Sequence, residues 1–193
     1  MNPTSHATYK IIRYILLIQE FNQTEIHHKT KTSTGQINKV VNWLLTRRFI
    51  EKGNKKYHVI DPGGIIAIFP LFRNMNDHLV CKIPIRGSMD KIIDILPKGS
   101  ILCLDSAVDT YSSYFRTNRI CIYHKKPELI KGKFKPYSGG LLDLHVYLPD
   151  MDLKEDIVNG VTSKLRTIID MTCDGKTYIV KDLFEDLWGI KFE

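Results

Sequence analysis

Apolar residues recur at helical spacing through the start of the chain. Ile11, Ile12, Ile15, Leu16 and Ile18 share one face and predict a helix over 8–21. Asn22-Gln23-Thr24 ends it, and Thr24 is the expected N-cap of a short second helix reaching about Thr30, with Ile26 its one strongly apolar residue. The third pattern is the clearest. Ser33 or Thr34 can cap a helix in which Ile37, Val40, Val41, Leu44 and Leu45 form a single stripe. Gly35, Lys39, Asn42, Trp43 and Thr46 lie opposite that stripe, with Gln36 and Asn38 on its flanks. Phe49 to Lys52, Gly53-Asn54 and Lys55 to Ile60 then read as a hairpin with a basic tip. Asp61-Pro62 opens a further helix to about Phe72.

The polar, turn-prone run Phe72-Arg73-Asn74-Met75-Asn76-Asp77 interrupts this pattern and predicts a boundary between domains 1–73 and 78–193. Beyond it the pattern is mixed. Ile101 to Leu104 reads as a short strand or a helix start, while Arg119 to His124 and Leu141 to Leu148 read as strands. Ser163 to Met171 and Val180 to Trp188 read as closing helices. The expected fold class is α+β: an N-terminal winged helix-turn-helix followed by a mixed α/β C-terminal domain.

Charge sharpens that division. Residues 1–73 hold eleven Lys/Arg and four Asp/Glu, whereas residues 74–193 hold seventeen of each, so the net charge of +7 lies wholly in the first domain. A neutral body with a basic module at one end points to a polyanion held at that end; the alternative is a solvated lysine-rich surface. No apolar run is long enough to span a bilayer, and Met1 to Lys10 lacks the layout of a signal peptide. Cys81, Cys103, Cys121 and Cys173 form no C-x-x-C pair, and Cys103 and Cys121, inside apolar runs, read as buried free thiols. A cytoplasmic protein with no membrane association, no zinc site and no cofactor is expected.

Three short helices and a hairpin make the winged form of helix-turn-helix, whose third helix enters the major groove while the wing touches backbone or minor groove. Gln36, Asn38 and Asn42 each offer a donor and an acceptor from one amide, as reading adenine requires. Lys39 can reach a phosphate or a guanine edge, and Ser33 and Thr34 can bind phosphate with free N–H groups at the helix start. Lys52, Lys55 and Lys56 charge the wing; Arg47 and Arg48 at the helix end can pair with phosphates or cap the last carbonyls. The expected partner is therefore double-stranded operator DNA. Use of the module for protein contacts is the minority reading, and RNA is disfavoured because no aromatic-rich strand offers stacking.

The second domain carries thinner chemistry. Strand alternation puts Asp143, His145 and Tyr147 on one face, after Gly139-Gly140, where a backbone could approach closely. That row could bind metal or do acid–base work, although a half-exposed strand of a solvated sheet is the expected explanation. Asp105 and Asp109, one turn apart, could hold a cation, and with Asp143 and His145 could hold magnesium in a metal-dependent nuclease or nucleotidyltransferase. No D-x-D pair in a glycine-serine context and no E-x-K element after Asp143 supports that alternative, so no catalytic or metal-ligating residue is assigned. Arg166 and Asp170 have the spacing of a surface ion pair, and His27-His28 read as solvated or DNA-facing.

Several segments resemble one family. They are Val41-Asn42-Trp43-Leu44-Leu45, Phe49-Ile50-Glu51-Lys52, Tyr57-His58-Val59-Ile60-Asp61-Pro62-Gly63, Leu104 to Tyr114, and an S-x-x-R-T-x-x-D run from Ser163 to Asp170 continued by Asp182 to Gly189. Together they are similar to the AbiEi-like transcriptional regulators, the antitoxin half of AbiE-type abortive-infection toxin–antitoxin systems, in their archaeal branch. The resemblance implies a viral-defence protein whose winged helix represses its own operon. It also implies a C-terminal domain that counters a nucleotidyltransferase-like toxin. Apart from the resemblance, winged-helix regulators often pair to read two half-sites, so a homodimer is compatible with the sequence although no coiled-coil segment would force one.

Overall fold

The computed structural model describes residues 1–139 and 141–191. The fold is α+β and divides into two compact units, Met1–Arg73 and Asn74–Glu193.

The first unit opens with helix α1 (His6–Ile18) and strand β1 (Glu20–Phe21). Helix α1 stops three residues short of the expected end because Gln19 turns to positive φ, and Glu20–Phe21 leaves as a strand. Helix α2 (Gln23–Thr30) begins one residue before Thr24, so the N-cap is Asn22 rather than Thr24. Asn22 Oδ1 accepts from Glu25 N at 2.9 Å while Glu25 Oε2 accepts from Asn22 N at 3.1 Å, a reciprocal capping box. Helix α3 (Thr34–Thr46), strands β2 (Ile50–Lys52) and β3 (Tyr57–Val59), and helix α4 (Pro62–Ile66) follow. The last is shorter than its apolar pattern suggests. Pro70 has no N–H for the helical ladder, and Phe69–Leu71 forms a separate 3-10 turn.

The three strands pair antiparallel in the order β1-β3-β2, with Phe21 opposite Tyr57 and Ile50 opposite Val59. Ile11, Ile12, Ile15, Ile26, Ile37 and Val41 are fully buried between the helices. Phe21 stacks on Tyr57 with ring centroids 5.6 Å apart, closing the core beneath the sheet.

The second unit contains strand β4 (Leu79–Ile85), helix α5 (Met89–Asp94), strand β5 (Ile101–Leu102), helix α6 (Leu104–Tyr111), strand β6 (Arg119–Tyr123), helix α7 (Pro127–Lys133) and strand β7 (Leu142–Tyr147). Strands β8 (Ile157–Val158) and β9 (Val161–Thr162) and helices α8 (Lys164–Cys173) and α9 (Lys181–Trp188) complete it. The sheet order is β4-β7-β6-β5-β9-β8, with β6 parallel to β7 and β5 parallel to β9. Strand β4 occupies an edge, where Pro84 costs no ladder hydrogen bond on its open side.

Strict pleating sorts the central strands. Ile120, Ile122, Leu144 and Val146 face one side and pack with Ile92 of α5 and with Ile130 and Phe134 around α7. Cys121, Tyr123, His145 and Tyr147 alternate with them and register across β6 and β7. This second face is covered, not solvated: His145 is 6% and Tyr147 4% exposed. The expectation of a half-exposed polar strand is therefore corrected for these two residues.

Helix α8 explains part of the cover. It is buried from Leu165 through Cys173, polar residues included. The Arg166–Asp170 pair, expected at the surface, lies at 0% exposure on both side chains, with Nε to Oδ1 at 2.8 Å. Tyr123 Oη donates to Asp170 Oδ2 at 3.0 Å, and Arg166 also pairs with Asp150. A charge can sit there only because each of its hydrogen-bonding groups meets a partner.

Candidate functional site

The strongest candidate surface is built on α3. Ser33 Oγ accepts from Gln36 N at 3.3 Å and starts the helix, and Ile37, Val40, Val41 and Leu44 lock its inner face into the core. The helical period then leaves Gly35, Asn38, Lys39, Asn42 and Thr46 exposed on the opposite side. Asn38, Lys39 and Asn42 thus form a compact polar stripe of two amides and one ammonium.

The flanking residues behave differently. Gln36 is half-buried, and its Nε2 donates to Thr8 Oγ1 of α1 at 3.0 Å, which ties the amide into the fold. Trp43 sits 6.3 Å from the Phe49 ring, and the Arg47 guanidinium lies 4.2 Å over the indole. Arg47 therefore stacks on Trp43, an arrangement that keeps its charge at the helix end. Thr34 is exposed in the first turn beside Ser33.

The hairpin places its charge at the tip. Gly53 N donates to Lys56 O at 2.8 Å, and a side chain at Gly53 would meet the His58 ring at 2.9 Å, so a larger residue there would have to displace that ring. Lys52 and Lys55 are exposed, whereas Lys56 pairs with Glu20 at 3.3 Å. A polar cleft of about 610 Å³ adjoins the start of α3, lined by Lys10, Lys31, Thr32 and Ser33 among others. Lys10 and Lys31 were missed as candidates from sequence, because nothing local shows that α1 and the turn before α3 converge. His27 is exposed, as expected, and its Nδ1 also lies 2.8 Å from Thr32 O.

In the second unit two of the carboxylates considered for metal, Asp105 and Asp109, are engaged by cations. Asp105 is buried with Arg119 at 2.6 Å and Lys176 at 3.7 Å, and Asp109 pairs with Arg116 at 3.5 Å. Asp143 lies opposite Arg119 in the parallel register. Among the described residues no group of three or more His, Cys, Asp or Glu could hold a metal ion. Gly140, named with Gly139 as a close-approach pair, lies outside the described residues.

Electrostatics around this cluster quiets the reactive groups. Burial pushes the Cys121 thiol well above its usual range, and the neighbouring Asp105 carboxylate adds to the shift. His145 is held below its ordinary value by burial first, then by Arg119 and Lys82, against the opposing pull of Asp143 and Asp105. Its Nδ1 lies 3.5 Å from the Tyr147 hydroxyl. None of the four cysteines is in a disulfide, and Cys103, Cys121 and Cys173 are buried. Among the described residues no helix is long and apolar enough to cross a membrane. Compared with known proteins, the chain matches no family model, no curated protein and no solved structure.

Proposed function

We propose that the first unit is a winged helix that binds duplex DNA, with α3 as its recognition helix and the β2–β3 hairpin as its wing. The observation that carries this reading is the exposed Asn38-Lys39-Asn42 stripe, opposite a fully buried stripe, in a unit that holds the whole net charge of +7. Asparagine amides present the donor–acceptor pair that matches the adenine edge, and Lys39 fits guanine or phosphate. Ser33, Thr34, Lys52 and Lys55 sit where phosphate contacts set register and affinity, while Lys56 and Arg47 contribute charge already partnered within the fold. Gln36 supports the helix more than it reads bases.

On this reading the protein is a transcriptional regulator. The resemblance to AbiEi-like antitoxins extends it to repression of its own operon, with the second unit countering a nucleotidyltransferase-like toxin. Fluorescence anisotropy with duplex from the protein's own upstream region tests the first step. The expected affinity exceeds that for a random duplex by about a thousandfold at physiological salt. Equal affinity for both duplexes would remove sequence-specific regulation from the account. Capture of the product of an adjacent nucleotidyltransferase-like gene tests the second step, and failure to bind it would leave a regulator without an antitoxin role.

A further inference from the structure

We infer that the second unit holds a binding site for a small amphipathic anion, an alkyl or acyl body with an acidic head. The site is a groove of about 520 Å³ at one end of the sheet, within the range typical of small-molecule ligands. The parallel strands β6 and β7 both finish there, at Tyr123-His124 and just before Pro149. Crevices outside the carboxyl ends of parallel strands are common ligand positions.

The lining divides into two kinds of surface. Ile101, Leu129, Pro149, Leu153 and Ile157 supply an aliphatic wall, and Leu129 is 50% exposed. Lys98, Lys125, Lys126 and Lys154 ring it, and none of the four has an ion-pair partner among the described residues. Although the charges of the unit as a whole balance, seventeen against seventeen, gathering four unpaired ammonium groups around one apolar groove selects for negative charge there. The carboxylate that follows Pro149, Asp150, does not neutralise them, because it pairs with Arg166 and His78.

The rim is held in place from below. His124 is buried; its Nδ1 accepts from Lys126 N at 3.0 Å, which leaves the proton on Nε2, 3.4 Å from Lys98 O. One imidazole thus ties together the two loops that carry Lys98 and Lys125-Lys126. Among the described residues the aromatic rings in the lining are Tyr123 and His124, and both are buried, so neither offers an exposed face for base stacking. That favours an aliphatic body over a nucleobase.

Calorimetric titration of the full chain with monomeric octyl and decyl phosphate tests the site. The expected result is saturable one-to-one binding that tightens about three- to fourfold per added methylene. Lys125→Glu/Lys126→Glu and Leu129→Glu, all at exposed positions, are expected to weaken it at least tenfold with unchanged unfolding temperature. Decanol binding as tightly as decyl phosphate, ATP binding as tightly, or no saturation at millimolar ligand would each overturn the proposal. Sedimentation with phosphatidylglycerol vesicles separates the sources. Binding to monomer alone supports a free ligand, and binding to both, lost in Leu129→Glu, supports a membrane lipid.

Discussion

Arg166 and Asp170, one helical turn apart in α8, meet at 2.8 Å with neither side chain exposed, and Tyr123 closes the network through its hydroxyl. Removing one partner strands a buried charge. Asp170→Ala is expected to cost about 3–5 kcal/mol, whereas replacing both partners by apolar residues of similar volume should cost much less. Urea unfolding of the two variants checks this, and equal losses in both would contradict it.

The capping box of α2 gives a milder test in the first unit. Asn22→Ala removes the acceptor for Glu25 N and is expected to cost about 1 kcal/mol, read as a lower denaturation midpoint. Thr24→Ala, at the cap expected from sequence, should be close to neutral. The reverse order of the two variants would contradict the observed helix start.

His145 makes stability depend on pH. Its native pKa lies below the ordinary 6.5, so as pH falls through the unfolded value the unfolded chain takes up a proton that the native state refuses. The second unit should therefore lose stability from pH 7 toward pH 5, and His145→Gln should flatten that slope. Thermal unfolding across this range reads the difference; an unchanged slope in the variant would assign the effect elsewhere.

Wing charge is expected to act through phosphate alone. Lys55→Ala should lower the salt slope of DNA binding by about 0.9, the value for one phosphate contact, on every duplex tested. Lys56→Ala should change it less, because Lys56 already pairs with Glu20 at 3.3 Å. Anisotropy titrations over a salt series compare the two, and an effect confined to one DNA sequence would contradict a backbone contact.

Periodicity made some of this legible and hid the rest. The stripe Ile37, Val40, Val41 and Leu44 orients α3, and the exposure of Asn38, Lys39 and Asn42 follows from that stripe alone. The tie between Gln36 and Thr8 crosses 28 residues and leaves no local signal. Alternation in Leu142–Tyr147 separates His145 and Tyr147 from Leu144 and Val146, but it does not show that both faces are covered. Helix α8 hides its burial because Arg166, Thr167 and Asp170 make it read as an exposed polar helix. Strand β4 escapes detection because Lys82 and Pro84 break its apolar run, although an edge position tolerates both.

The central claim is that the outward stripe of α3 reads base edges. Selection of bound duplexes from a randomised DNA pool, run in parallel on the parent protein and on Asn38→Ala and Asn42→Ala, tests it most directly. The parent should enrich a defined motif, and each variant should relax preference at one or two positions, by about 1–3 kcal/mol per lost bidentate contact, while keeping its affinity for random DNA. An unaltered motif in both variants, or no motif from the parent, would contradict the assignment of α3 as the reading helix.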